Sequence, residues 1–519
     1  MANSYDPQFV RANEQGRPRE RENKPLLINN FSLGTDQHNP STNPVGSVTR
    51  IINGRCTRGT TLDRRFGKAV FGNAGDAGRV YMLGSLQVSG GNDMFLRLVE
   101  GAGAGVQLQK YNPTTDTWVN IGGNIGTADD RTDWFGTSVT IAGEDRFYFT
   151  NGVSNLHYTN GTAVTEVDGI KAKYITHIEN ILVIGHATET FYANQVIFSK
   201  ANSHQFYADL DEGYADSSQT FSLPGEVTQI VGFNSFVYAF TKADGLWEID
   251  LSDASIRQIS THGTISPKSV ATDWDVMIWA DQDGVWALPI GGNVLKVSMT
   301  VDNIYSKTSA VNIFNIVGGF NTNGEYELHL GKLTYQGVEY PSYCLVYELE
   351  QSRQLGKNTW KEDVGKGFPT CMAKWTNAYG FTQSFYGSNT NQTVYINDYG
   401  YEDGSGVKIQ LVCETADIVL ASKKEEAFLE DIYLTYEPLG TATIPLSLYG
   451  RVDTGDWQLI KTVALPSGDD SMKTVRIQGV KGFKGRAFGF KIVSEDNHAF
   501  RLYELFATYG VTNSDIKPI

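Results

Sequence analysis

The sequence predicts an all-β protein: a β-propeller of about seven blades followed by a C-terminal β-sandwich. Three observations predict it. One strand–turn–strand phrase occurs twice, 39 residues apart: Val237, Asp244-Gly245 and Trp247 recur as Val276, Asp283-Gly284 and Trp286. A fixed period near 40 with a turn and an aromatic suits one propeller blade per period. Glycine is 54 of 519 residues and aromatics are 12%, against 15 prolines, a balance that favours short strands joined by tight turns. No long stretch keeps a helical period, whereas residues 407–511 alternate apolar and polar at period two.

Residues 1–25, centred on GRPRERENKP, are too polar to fold alone, so they are expected as a disordered tail or an arm that orders on a partner. Residues 26–79 read as an extended, loop-rich lead-in with one or two strands. Its clustered Arg50, Arg55, Arg58, Arg64 and Arg65, with Arg17, Arg19 and Arg21 of the arm, are the candidate interface residues. The competing reading is a solvated face or local pairing with carboxylates.

The propeller is expected over 80–406. Its first unit ends in Tyr111-Asn-Pro-Thr-Thr-Asp-Thr-Trp118, where Pro113 presets a turn and Tyr111 and Trp118 flank it. The second unit, about 137–167, holds Asn151-Gly152 and Asn160-Gly161, the strongest short hairpin signal. Further units are expected at about 171–207, 226–260, 266–298, 309–364 and 369–404. Soft early boundaries leave six or eight blades open. The sandwich follows over 407–511 and a frayed tail over 512–519.

Net charge is −15, but residues 1–68 hold 11 Lys/Arg against 6 Asp/Glu, so the remainder carries −20. An acidic body does not wrap nucleic acid, which takes basic contacts to phosphate; it does suit a conduit past which DNA slides. The four cysteines (Cys56, Cys344, Cys371, Cys413) form no C-x-x-C pair and are expected as free thiols. No apolar run is long enough to span a membrane, and the N-terminus has no apolar core of a signal peptide.

Catalysis finds no anchor. A glycosidase needs two carboxyl groups facing across a sugar, and Asp129, Asp130, Asp133, Glu144, Asp145, Asp209, Asp211, Glu212 and Asp216 offer no such pair by spacing. Arg451-Val-Asp-Thr-Gly-Asp-Trp457 resembles a degraded sialidase Asp box but reads more simply as a hairpin turn with Trp457 beside it. The eight histidines stand at no metal-ligand spacing, so no metal and no cofactor are expected.

Four stretches together resemble the β-propeller tail proteins of short-tailed (podovirus-like) phages, the tail-nozzle or packaged-DNA-stabilising class. They are the lead-in LLINNFSLGTDQHNPSTNPVGSVTRIINGRCTRGTTLDRRFG, the blade phrase GTISPKSVATDWDVMIWADQDGVWAL, the last blades from SYCLVYELEQSRQLGKNTWKED to YGSNTNQTVYINDYGYEDG, and the exit through VKIQLVCETADIVL into a sandwich with VDTGDW. The resemblance covers about residues 26–511 and rests on turn and strand patterns. It implies a non-enzymatic virion protein, assembled in the host cytoplasm as a homo-oligomeric ring, with six copies expected. The ring would sit beneath the portal and adaptor proteins, beside other tail proteins such as fibres, with genomic DNA passing through its lumen. The alternative is a host-receptor or carbohydrate-binding tail protein that stacks sugars on Trp134, Phe135, Tyr399 and Tyr401. A propeller glycosidase comes third.

Overall fold

A computed structural model describes residues 24–32, 34–35, 48–56, 60–73, 75–101, 103, 105–188, 192–206, 220–242, 244–404, 406–422, 425–466, 471–480 and 482–513. It contains six discrete four-stranded antiparallel sheets, and a seventh four-stranded unit that continues into a ten-stranded sheet. In chain order the seven units begin with the strands Val80–Leu86, Phe135–Ile141, Ala172–Ile178, Val227–Phe233, Ala271–Thr272, Val317–Phe320 and Pro369–Thr376. Successive first strands stand side by side from the first unit to the fourth and from the fifth to the seventh, the fourth and fifth units meet through apolar side chains, and Pro369–Thr376 packs back on Val80–Leu86. That is a closed propeller.

Local turn chemistry builds each blade. In the fifth, Val276–Asp281 and Gly284–Pro289 pair through a two-residue loop, Asp281 opposite Gly284, and Gly284 takes the positive φ of 152° that the loop needs. The corresponding hairpin of the fourth closes at Thr241 opposite Gly245, φ 85°, where an added Cβ would stand 2.1 Å from the Ser260 carbonyl oxygen. Neighbouring blades then meet through apolar faces. Phe233, Phe240 and Leu246 of the fourth pack against Met277, Trp279 and Leu288 of the fifth, with the Phe240 and Trp279 rings 5.4 Å apart.

The sixth and seventh blades depart from this local rule. The seventh draws its fourth strand from the N-terminal region: Lys68–Phe71 pairs antiparallel with Val394–Asn397. The region expected as an extended lead-in is therefore a set of strands. Lys24–Ile28, Gly54–Arg55 and Leu62–Arg64 join one sheet of the sandwich. Val48–Ile52 lies between the last strand of the sixth blade, Trp360–Val364, and the first strand of the sandwich, Ile409–Thr415. This placement fuses propeller and sandwich into one sheet of ten strands. The physical reason is that every buried backbone N–H and C=O needs a partner, and the two open sheet edges find theirs in the same N-terminal segment.

The sandwich core comes from both of its sheets. Ala427, Leu429, Ile432, Leu434 and Tyr436 on Glu425–Pro438 face Leu446, Leu448, Phe488 and Phe490 from the other sheet. The step from Leu429 to Ile432 breaks the period of two where a bulge shifts register between Leu429 and Asp431. All four cysteines are free. Among the described residues no helix is long and apolar enough to cross a membrane.

Candidate functional site: a buried ionic seam, an axial brace and an open groove

The strand Trp360–Val364 reads WKEDV, and Lys361, Glu362 and Asp363 in its middle are all fully buried. A buried charge costs several kcal/mol unless it is paired and hydrogen-bonded, and here the partners come from the N-terminal strands. Arg50 meets Glu362 at 2.8 Å. Glu362 also accepts from Thr35 Oγ1 at 3.2 Å and from the Tyr343 hydroxyl. Arg55 grips both oxygens of Asp363, at 2.8 and 2.6 Å, and reaches Glu325 at 3.1 Å. Arg65 forks onto Asp403, with one bond of 2.9 Å, and donates to Asn53 Oδ1 at 2.8 Å. Lys361 is paired with Glu348. Burial alone would raise the Asp363 carboxyl, yet Arg55 and Lys366 hold it below the usual carboxylate range.

Arg50, Arg55, Arg64 and Arg65 were candidates for contact with another subunit. They are 5, 5, 2 and 1% exposed and spend their donors inside the chain, so they do not form an outward-facing patch. Arg64 donates to Ser494 Oγ at 2.7 Å and to the His498 carbonyl at 2.5 Å, and its guanidinium lies 5.7 Å from the Phe500 ring centroid. Burial pulls its pKa down to about 10, which leaves it charged at neutral pH. Arg17, Arg19, Arg21 and Arg58 lie outside the described residues.

A second cluster crosses the propeller axis. Lys268 precedes the first strand of the fifth blade and Asp133 that of the second, blades that are not neighbours. Their charged groups nevertheless meet at 2.5 Å. Arg79, before the first blade, reaches the same Asp133 oxygen at 2.9 Å, and Lys268 also donates to the Thr370 carbonyl of the seventh blade at 2.7 Å. Side chains thus bridge the first, second, fifth and seventh blades at this end of the propeller.

A third feature is a groove of about 860 Å³ between the outer halves of the fourth and fifth blades. Phe236, Tyr238, Arg257, His262 and Trp286 line it, and the His262 and Trp286 rings stack at 3.6 Å. Among the described residues Glu248 is its single carboxylate, occupied by Tyr238 at 3.0 Å and Arg257 at 2.6 Å. The aromatics expected to stack on sugars are elsewhere and do not form one patch. Trp134 is buried and bonded to the Asp130 carbonyl, Phe135 packs on Tyr174, Tyr401 stacks on Phe66, and Tyr399 is exposed.

The loop carboxylates are likewise dispersed. Asp130 caps a short turn through Thr127, Glu144 pairs with Arg146, and Asp145 accepts from Ser89 and Thr140. Asp209, Asp211, Glu212 and Asp216 lie outside the described residues. The stretch 453–457 is the turn between the strands Ile444–Val452 and Gln458–Leu465, with Arg451 over the Trp457 ring at 4.5 Å.

Sequence spacing missed two clusters because their members meet through strand register or across loops. His262, Asp281 and Asp283 converge beside the groove. Glu327, His329 and Cys344 converge deep in the sixth blade, where His329 stands opposite Cys344 on the adjacent strand. Glu327-Leu328-His329 on a strand was the available signal, since residues two apart share a face.

No family model and no curated sequence matches the chain. Solved propellers do. The Neurospora crassa Pan2 WD40 domain aligns at 8% identity and TM-score 0.37, over 62% of this chain and 89% of that one. The WD40 propeller domain of Doa1 aligns at 10% and 0.38, over 64% and 96%. A computationally designed protein, Ika8, aligns at 12% and 0.36, over 64% and 99%. These likenesses are of fold alone.

Proposed function

We propose that this chain is a non-enzymatic structural protein of a phage tail, a nozzle subunit in the tube that retains and then releases DNA beneath the portal and adaptor. The observation that carries this reading is the seam. A propeller and a sandwich that share one sheet, locked by buried ion pairs, make a stiff wall element rather than two domains that open around a substrate. The net charge of −20 outside residues 1–68 suits a wall past which phosphates slide. The DNA path in this reading is the lumen of a ring of copies, six being the expectation. The strand Lys24–Ile28 takes up the last two residues of the arm expected over 1–25, and residues 1–23 are left to dock on a neighbouring subunit or the adaptor.

Electron microscopy of particles labelled with antibody to this chain tests the reading. Label at a single tail vertex, with averaging that resolves a ring, supports it. A protein absent from particles and monomeric in solution sinks it. Removing residues 1–23 is expected to leave the monomer folded and to stop ring assembly.

The groove between the fourth and fifth blades favours one alternative, a tail protein that binds host glycan, since aromatic faces beside polar groups suit sugars. Saturable binding of the soluble monomer to a glycan array, lost in Trp286→Ala, would move the reading there. Hydrolysis is poorly served by a groove whose one carboxylate among the described residues is already held by Arg257 and Tyr238.

A further inference from the structure

The seam between the sixth and seventh blades contains a concentration of polar atoms without partners. Of the sixteen buried side-chain nitrogens and oxygens that lack a hydrogen bond among the described residues, five lie here: Glu327 Oε2, both ring nitrogens of His329, the Tyr386 hydroxyl and Asn397 Oδ1. Leaving such a group unsatisfied costs about 1–3 kcal/mol. Glu327 Oε2 and His329 Nε2 face each other at 3.4 Å, and the other three atoms have no partner among the described residues, one that an occupant of the site would supply.

The arrangement around Glu327 is asymmetric. Its Oε1 accepts from Lys366 at 2.9 Å, Asn321 at 3.1 Å and Asn397 at 3.0 Å. Three donors fix the carboxylate and leave Oε2 facing His329 Nε2 at 3.4 Å. Cys344 Sγ, directly across the strand pair from His329, completes a triangle in which all three ligand atoms lie within 4.8 Å of one another. Two ligands each about 2.1 Å from a tetrahedral ion stand about 3.4 Å apart. All three side chains are at most 1% exposed. Tyr386, whose ring lies 6.1 Å from that of His329, also lines a solvent-open groove of about 210 Å³.

We propose that Glu327, His329 and Cys344 bind a divalent transition-metal ion of the zinc class, buried between the sixth and seventh blades. Sulfur, imidazole and carboxylate together select such an ion over calcium or magnesium, which take oxygen alone. Binding displaces the Cys344 thiol proton to solvent, so one carboxylate and one thiolate balance the 2+ charge. Lys366, Asn321 and Asn397, which donate to Oε1, are the outer partners that orient a metal-bound carboxylate. A fourth position is left to water. Lys366 does not oppose the ion with a free charge, because it is shared between Glu327 Oε1 and Asp363 at 3.1 Å. The site is structural: the ion would tie the two middle strands of the sixth blade beside the closure made by Lys68–Phe71.

The test uses the full chain produced in zinc- or cobalt-supplemented medium. Elemental analysis is expected to find about one equivalent of metal per chain. The cobalt-grown protein should show a thiolate-to-metal charge-transfer band. Cys344→Ser should lose that band, and His329→Gln should lose the metal. Asp281→Asn, at the other cluster, should change neither. Metal below about a tenth of an equivalent, a cobalt protein with no thiolate band, or a full metal complement in both seam variants each overturns the proposal. The native cobalt spectrum decides even if a variant fails to fold.

Discussion

The second to fifth blades and the ionic seam, where the N-terminal strands join the sixth blade to the sandwich, solve one problem, how neighbouring segments adhere, in opposite ways. Between the second and third blades the contact is apolar: Val139, Ile141 and Tyr148 against Ile175, Leu182 and Ile184. At the seam it is ionic, with Arg50, Arg55, Arg65, Lys361 and Lys366 interleaved with Glu325, Glu348, Glu362, Asp363 and Asp403. Apolar packing tolerates small shifts and depends on volume. A buried ion lattice is indifferent to volume but admits no missing member. The difference teaches that the regular blades set the shape, while the seam specifies which distant segments pair.

The largest effect should come from removing one member of the lattice. Asp363→Ala leaves Arg55 buried without its bidentate partner and should cost about 3–5 kcal/mol in urea unfolding. The double change Arg55→Met with Asp363→Leu should recover most of that loss. If the double variant is as unstable as the single one, the seam depends on charge for more than pairing. In the regular blades Ile184→Val, at a fully buried position, should cost about 0.5–1.5 kcal/mol. A cost matching that of Asp363→Ala would erase the contrast.

Lys68 sharpens the comparison by pH. Its ammonium donates to the Lys366 carbonyl and lies 4.5 Å from the Tyr395 ring centroid, and burial pulls its pKa down to about 8. The folded chain therefore releases this proton at lower pH than the unfolded chain does. Stability at this site rises as pH climbs from about 8 toward the ordinary lysine value of 10.5. Lys68→Met should stabilise relative to the native protein near about pH 7, and that advantage should shrink toward about pH 10 in paired melting curves. An advantage that grows with pH would refute the assignment. The smallest effect belongs to Arg257→Ala, whose side chain is 71% exposed, so loss of its pair with Glu248 should cost about 0–1 kcal/mol.

What the sequence disclosed follows the same division. Asp244-Gly245 and Asp283-Gly284 announce their hairpins because the turn is made by neighbours in the chain. The period-two run 407–511 announces the sandwich for the same reason. Arg50 and Glu362 are 312 residues apart, Arg65 and Asp403 are 338 apart, and no local pattern joins them. The clustered arginines are legible in the sequence, and of their two readings pairing with carboxylates is what Arg50 and Arg55 do, on the acidic strand WKEDV. Lys68–Phe71 was legible as a short apolar piece, not as the closing strand of a blade whose other three begin 300 residues later. Glu327 and His329 were readable as one face of a strand, whereas Cys344 joins them only once the register is known.

The strand pairing also dictates an order of events during synthesis. Leu62 finds its partner only at Leu502, and Lys24–Ile28 only at residues 505–509. The strands that precede the propeller in the chain are thus satisfied by strands that follow it, and hold exposed edges and unmatched arginines until those are made. Contacts of such long range make folding slow and leave intermediates open to association. A nascent chain stopped before residue 500 would hold its blades without a sealed ring-to-sandwich joint, and that interval is when it would be most exposed to proteases and chaperones.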